Sequence, residues 1–199
     1  MHQAELPRNQ PAPDASRLNG SVQLASTEGA AERTRSYSWD DPAISAAAAR
    51  ERDGTAFLQA ILDGTLPAAP IARTLDFAPV SVQPGTVVFE FTPAEFHYNP
   101  IGSVHGGVIS TLCDSACGCA VQSLLPAGTY YTSLDLSVKF LRGVGAGTSR
   151  LTCTGTVTHL GGRSALAEAR LTGTDGKLYA FATSSCMVFR PPQDDASRR

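Results

Sequence analysis

The stretch Asn99-Pro-Ile-Gly-Ser-Val-His-Gly-Gly-Val-Ile-Ser-Thr-Leu-Cys-Asp114-Ser-Ala-Cys-Gly-Cys-Ala-Val-Gln-Ser-Leu-Leu125 decides the fold. From Gly106 onward Val108, Ile109, Leu112, Cys113, Ala116, Cys117, Ala120, Val121 and Leu124 recur at steps of three and four, which predicts a helix with one wide buried face, closed by Pro126. Only a narrow stripe of it is polar or bare. At about 100° per residue, Gly107, Thr111, Asp114 and Gly118 fall within about 60° of one another, so small residues flank the acid.

Working outward, the runs Thr129 to Leu141, Ser149 to Leu160, Arg163 to Thr172 and Leu178 to Phe189 read as strands, joined at Gly143 to Gly147, Gly161-Gly162 and Asp175-Gly176. Upstream, Ile71 to Thr92 reads as a hairpin interrupted by Gln83-Pro84-Gly85. Before it, Phe57, Leu58, Ile61 and Leu62 mark a short amphipathic helix that starts near Asp53 and ends at Asp63-Gly64. The class is α+β: one long central helix wrapped by a curved antiparallel sheet of about six strands. Residues 1–50, rich in Ala, Ser, Pro, Asn and Gln, read as a loosely ordered extension, 51–190 as a single domain and 191–199 as a tail.

Composition narrows the function. The chain has 199 residues with 16 Lys+Arg against 18 Asp+Glu, a net charge of −2, so a basic surface for nucleic acid is not expected. No apolar run reaches the roughly 18 residues of a membrane helix, and the charged first 30 residues do not look like a secretion signal. Five cysteines, an odd number, sit in apolar stretches as reduced core fillers, which fits the cytoplasm. Cys113, Cys117 and Cys119 lack a fourth ligand nearby, so no metal is expected.

The chemistry lies at the two ends of the polar stripe. Where the loop meets the helix, Gly106-Gly107 leaves backbone N–H groups that a ligand oxygen can approach, the arrangement that stabilises an oxyanion. Asp114, a carboxylate in a mostly buried helix, requires a partner or a task. Seven residues separate Gly107 from Asp114, about 10.5 Å of rise, too far for both to touch one reacting group. Two such helices laid antiparallel in a two-fold homodimer would bring Gly107 of one chain beside Asp114 of the other.

With Asn99, Pro100, Gly102, His105-Gly106-Gly107 and Asp114, then Thr132-Ser133-Leu134-Asp135-Leu136 and His159-Leu-Gly-Gly-Arg163, the chain over residues 53–190 resembles the PaaI-like acyl-CoA thioesterases of the hotdog-fold superfamily. The resemblance implies side-by-side dimers, often paired into tetramers, and hydrolysis of an acyl-CoA thioester without metal or organic cofactor. It implies that Gly107 donates its N–H to the thioester oxygen, that His105 and Asn99 shape the loop, and that Asp114 of the partner chain is base or nucleophile. Ser133, or Thr132 beside it, would help position water. Gly106 would lie against substrate, and Lys139, Arg142 and Arg163 occupy places where such enzymes meet CoA phosphates. Within the same fold, a hydratase or dehydratase and a non-catalytic acyl-CoA sensor are the alternatives. A serine hydrolase is disfavoured by the lack of a Gly-x-Ser-x-Gly elbow.

Overall fold

The computed structural model describes residues 32–189. Helix α1, Pro42–Glu51, lies inside the stretch read from sequence as loosely ordered, whereas residues 1–31 and the expected tail lie outside the described residues. Its signal is local: Asp41 accepts from the Ala43 N–H at 2.9 Å, Pro42 occupies the first turn, and an alanine run follows. Helix α2, Gly54–Leu62, starts as expected at Asp53, whose side chain accepts from the Ala56 N–H at 2.9 Å.

Helix α3, Pro70–Leu75, corrects the expected strand start at Ile71. Proline opens this single turn, and Asp76, in the left-handed region at φ 53°, closes it. Strands β1, Phe77–Gln83, and β2, Thr86–Phe91, form the expected hairpin, with Gly85 at φ 79° in its turn. The central helix α4 spans Gly106–Gln122.

The run expected as one strand over residues 129–141 is two: β3, Tyr130–Ser133, and β4, Ser137–Phe140. Both pair antiparallel with β7, Leu178–Phe189, and the chain detours between them. Asp135 holds the detour against β7, accepting from the Ser185 N–H through Oδ1 at 3.0 Å and from the Ser184 hydroxyl through its carbonyl at 2.8 Å. Strands β5, Leu151–Leu160, and β6, Ser164–Gly173, complete a sheet of order β1-β2-β5-β6-β7-β3, with β4 also on β7. The sheet therefore has seven strands, and the chain leaving α4 goes to the far edge before returning to the middle.

Helix α4 packs on β5, β6, β7 and β2. The inward faces of β6 and β7 carry Ala165, Ala167 and Ala169 and then Ala180 and Ala182, all buried, so the helix can settle close to the sheet. At the closest crossing a Cβ on Gly155 would fall on the Ala116 carbonyl oxygen, so only glycine fits. Larger side chains at the ends of the contact, Leu112, Leu151, Leu171 and Phe91, fill the remaining space. Truncating one such Leu to Ala removes about 2–5 kcal/mol. Among the described residues no helix is long and apolar enough to cross a membrane.

Candidate active site

The loop that enters α4 is built by Asn99. Its Oδ1 accepts from the N–H groups of Ile101 (3.0 Å) and Ser103 (3.3 Å), and its Nδ2 donates to the Ser103 hydroxyl at 3.0 Å. These bonds spend the amide on the loop, so Asn99 acts as a former of geometry. Behind it stands His97, a residue the sequence reading did not single out. It is 2% exposed, with Nδ1 accepting from the Ala94 N–H at 3.0 Å and Nε2 2.9 Å from the Leu75 carbonyl oxygen. The His97 carbonyl in turn accepts the His105 N–H at 2.8 Å, which fixes where the helix begins.

His105 is the N-cap of α4. Its Nδ1 accepts the Gly107 N–H at 2.9 Å, an arrangement available only to a ring with a bare Nδ1. The amide expected to meet a thioester oxygen is thus occupied by the neighbouring imidazole. Among the described residues the Gly106 N–H has no acceptor. The Phe140 ring lies over Gly106, 3.2 Å from where a Cβ would stand. Gly106, Phe140 and Arg142 border an open cleft of about 350 Å³.

Asp114 sits two turns along α4, half-buried. The Ser133 hydroxyl donates to its Oδ1 at 3.1 Å. Along β3, Tyr131 and Ser133 share the face toward the helix and Thr132 points to the other, so of the two hydroxyls it is Ser133 that reaches the acid. Ser110 and Thr111 donate their hydroxyls to the Gly106 and Gly107 carbonyls, both at 2.9 Å, and leave the carboxylate uncontested. Asp114 and Ser133 open into a second cleft of about 360 Å³, walled by Thr111, Leu134 and Leu136 among others.

The candidate residues therefore gather in two groups on one helix. Ser133 and Asp114 come together; His105, Gly106 and Gly107 come together a helix turn and more away. Arg142 joins the second group. Lys139, on β4, and Arg163, in the turn between β5 and β6, are exposed, and neither forms an ion pair among the described residues. Arg163 contributes its carbonyl, which accepts the Val188 N–H at 3.0 Å. Three residues gain importance that sequence did not give them: His97, Asp135 and Phe140. None had a local signal; even Asp135 alternates with Leu134 and Leu136 as in a strand.

Cys117 and Cys119 have their thiols pushed up to about 12, chiefly by burial, so neither offers a thiolate near neutrality. The Tyr131 phenol is also raised, again by burial first. Among the described residues no group of His, Cys, Asp and Glu is arranged to hold a metal ion.

Residues 101–180 match the thioesterase superfamily. The fold is similar to that of a phenylacetic acid degradation-related protein from Ralstonia eutropha, at 27% identity over 65% of this chain and 98% of that one, with a TM-score of 0.60. It is similar to a hypothetical thioesterase from Streptococcus pneumoniae solved with coenzyme A, at 26% identity over 57% and 85% of the two chains, TM-score 0.53. The PaaI protein of the Escherichia coli phenylacetic acid degradation operon shares the fold at 24% identity over 61% and 86%, TM-score 0.57. No curated protein matches the sequence. With one long helix in an antiparallel sheet, the chain has the hotdog fold of these neighbours, and its segment 101–180, from the entry of α4 to the start of β7, is similar to the thioesterase superfamily.

Proposed function

We propose that the protein hydrolyses an acyl-CoA thioester in a site shared by two copies of the chain. The observation that carries this reading is the Ser133–Asp114 hydrogen bond at the mouth of an open cleft. One Asp114 oxygen is held and oriented while the carboxylate still faces the cleft, the condition for a base that takes a proton from water. Water so activated adds to the thioester carbon, the carbon–sulfur bond breaks, and the CoA sulfur leaves as thiolate and is protonated.

The carbonyl oxygen is stabilised by helix N-terminal amides of the other protomer. Gly106 supplies an unengaged N–H, and Gly107 joins it when the His105 ring turns aside. Sheet order supports the dimer: β3 is the terminal strand, so its outer edge is unpaired among the described residues, and next to it Leu134 is 59% exposed. Pairing there would lay two α4 helices side by side. Lys139, Arg142 and Arg163 are the cations offered to CoA phosphates. Five free thiols suit a reducing compartment such as the cytoplasm.

The experiment is acyl-CoA hydrolysis followed by release of free CoA thiol. Asp114→Asn is expected to keep the fold and the dimer and to lower kcat by about 10²-fold or more. Full turnover by that variant removes Asp114 from the mechanism, and binding without turnover by the wild type makes the protein a sensor.

A further inference from the structure

A third cavity lies on the other side of the polar stripe of α4, roofed by α2 and α3 and floored by the β1–β2 hairpin. Its walls include Leu58, Ala72, Phe77, Phe89, Ser115 and Cys119, so apart from the Ser115 hydroxyl these side chains present carbon and sulfur. The Cys119 thiol, raised to about 12 by burial, stays neutral and serves as an apolar wall.

Helix geometry places this cavity next to the Asp114 cleft along one face of α4. Thr111, Ser115 and Cys119 are spaced by four residues and form one row along α4, each step rising about 6 Å. Thr111 lines the cleft and the next two line the cavity. A chain attached to a carbonyl beside Asp114 can follow this row into the interior of the same protomer.

Size then selects the chain. The cavity holds about 80 Å³. An engineered cavity of about 150 Å³ just takes benzene, roughly 25 Å³ per carbon, so this one takes roughly three carbons and no aromatic ring. The geometry points to an acyl-tail pocket formed by α2, α3 and the Ser115–Cys119 row, which selects straight aliphatic acyl groups of about four to six carbons over aryl-acyl groups. Leu58 and Cys119 are its specificity-determining residues. The inference deepens the thioesterase reading and rests on it for the identity of the ligand.

The test is a series of acetyl-, butyryl-, hexanoyl-, octanoyl-, benzoyl- and phenylacetyl-CoA. The expected kcat/KM for butyryl- or hexanoyl-CoA exceeds that for phenylacetyl- and octanoyl-CoA by about tenfold or more. Leu58→Ala, which opens the roof, raises the octanoyl value about tenfold. Cys119→Phe, which fills the cavity, lowers the ratio of the hexanoyl to the acetyl value about tenfold. Preference for phenylacetyl-CoA in the wild type, or a profile that neither variant moves, overturns the assignment. If no acyl-CoA is hydrolysed, the thioesterase reading fails by itself, and the pocket is judged on non-hydrolysable thioether analogues of the same acyl groups. A Kd for the hexanoyl analogue about tenfold below that of the phenylacetyl one, weakened by Cys119→Phe, supports the pocket; a flat series overturns it.

Discussion

The hydroxyl of Ser133 donates to Asp114 Oδ1 at 3.1 Å, and this bond joins the terminal strand of the sheet to the middle of the central helix. An acid that would otherwise search several rotamers is held in one, aimed at a cleft. The partner is itself exposed, so its loss leaves no buried orphan.

Ser133→Ala is therefore expected to lower kcat by about tenfold with little change in KM, a smaller loss than that from removing the acid. Steady-state kinetics on one acyl-CoA would check it. A KM effect alone would assign Ser133 to substrate binding.

The proposed composite sites predict complementation. Asp114→Asn spoils the acid half and Gly107→Val the amide half, since any Cβ at Gly107 stands 2.9 Å from His105 Nδ1. Each homodimer should be inactive, yet a purified heterodimer regains one intact site and about half of wild-type activity. Two dead parents giving a dead mixture would place both halves in one chain.

His105 closes the helix N-terminus, so His105→Ala should lower unfolding free energy by about 0.5–2 kcal/mol, read from denaturant midpoints. The same change releases the Gly107 N–H. Stability lost with kcat retained would make the ring a cap and nothing more, whereas a joint loss ties its motion to turnover.

The thiols give a prediction in pH. Cys117 and Cys119 rise from an ordinary 9.0 to about 12, mainly by burial, so the folded chain keeps protons that the unfolded chain gives up. Stability should be independent of these groups below about pH 9 and fall steadily as pH climbs toward 12. A thiol-detecting dye at pH 8 should react slowly with the folded protein and with five cysteines after denaturation. Rapid reaction of Cys119 in the native state would mean that the cavity wall opens.

The parts of the fold that sequence announced are those with a long periodic signal. Helix α4 has many apolar positions on one face, and β5 to β7 alternate cleanly between glycine-rich turns. What escaped was short or non-local. Helix α3 is a single proline-opened turn whose end depends on the left-handed Asp76. The break between β3 and β4 was hidden because Leu134-Asp135-Leu136 alternates like a strand, and only Asp135 bonding to β7 reveals the detour. Asp114 and the glycine pair could be singled out as candidates from burial and backbone arguments alone. The choice of Ser133 over Thr132 required knowing that Tyr131 faces the helix, and the His105–Gly107 bond depends on a rotamer, which no spacing encodes.

The roof of the inner cavity comes from α2 and α3, which precede the first strand and belong to no ladder of the sheet. Under the proposed hydrolysis, selectivity and reactivity would thus be carried by different elements. Variation at the partly exposed cavity-lining positions Ile61 and Ile71 could retune which molecules the cavity accepts while leaving the acid, its hydroxyl partner and the glycine pair untouched. On that reading, drift in acceptance would leave its trace in the two short helices before it reached the central one.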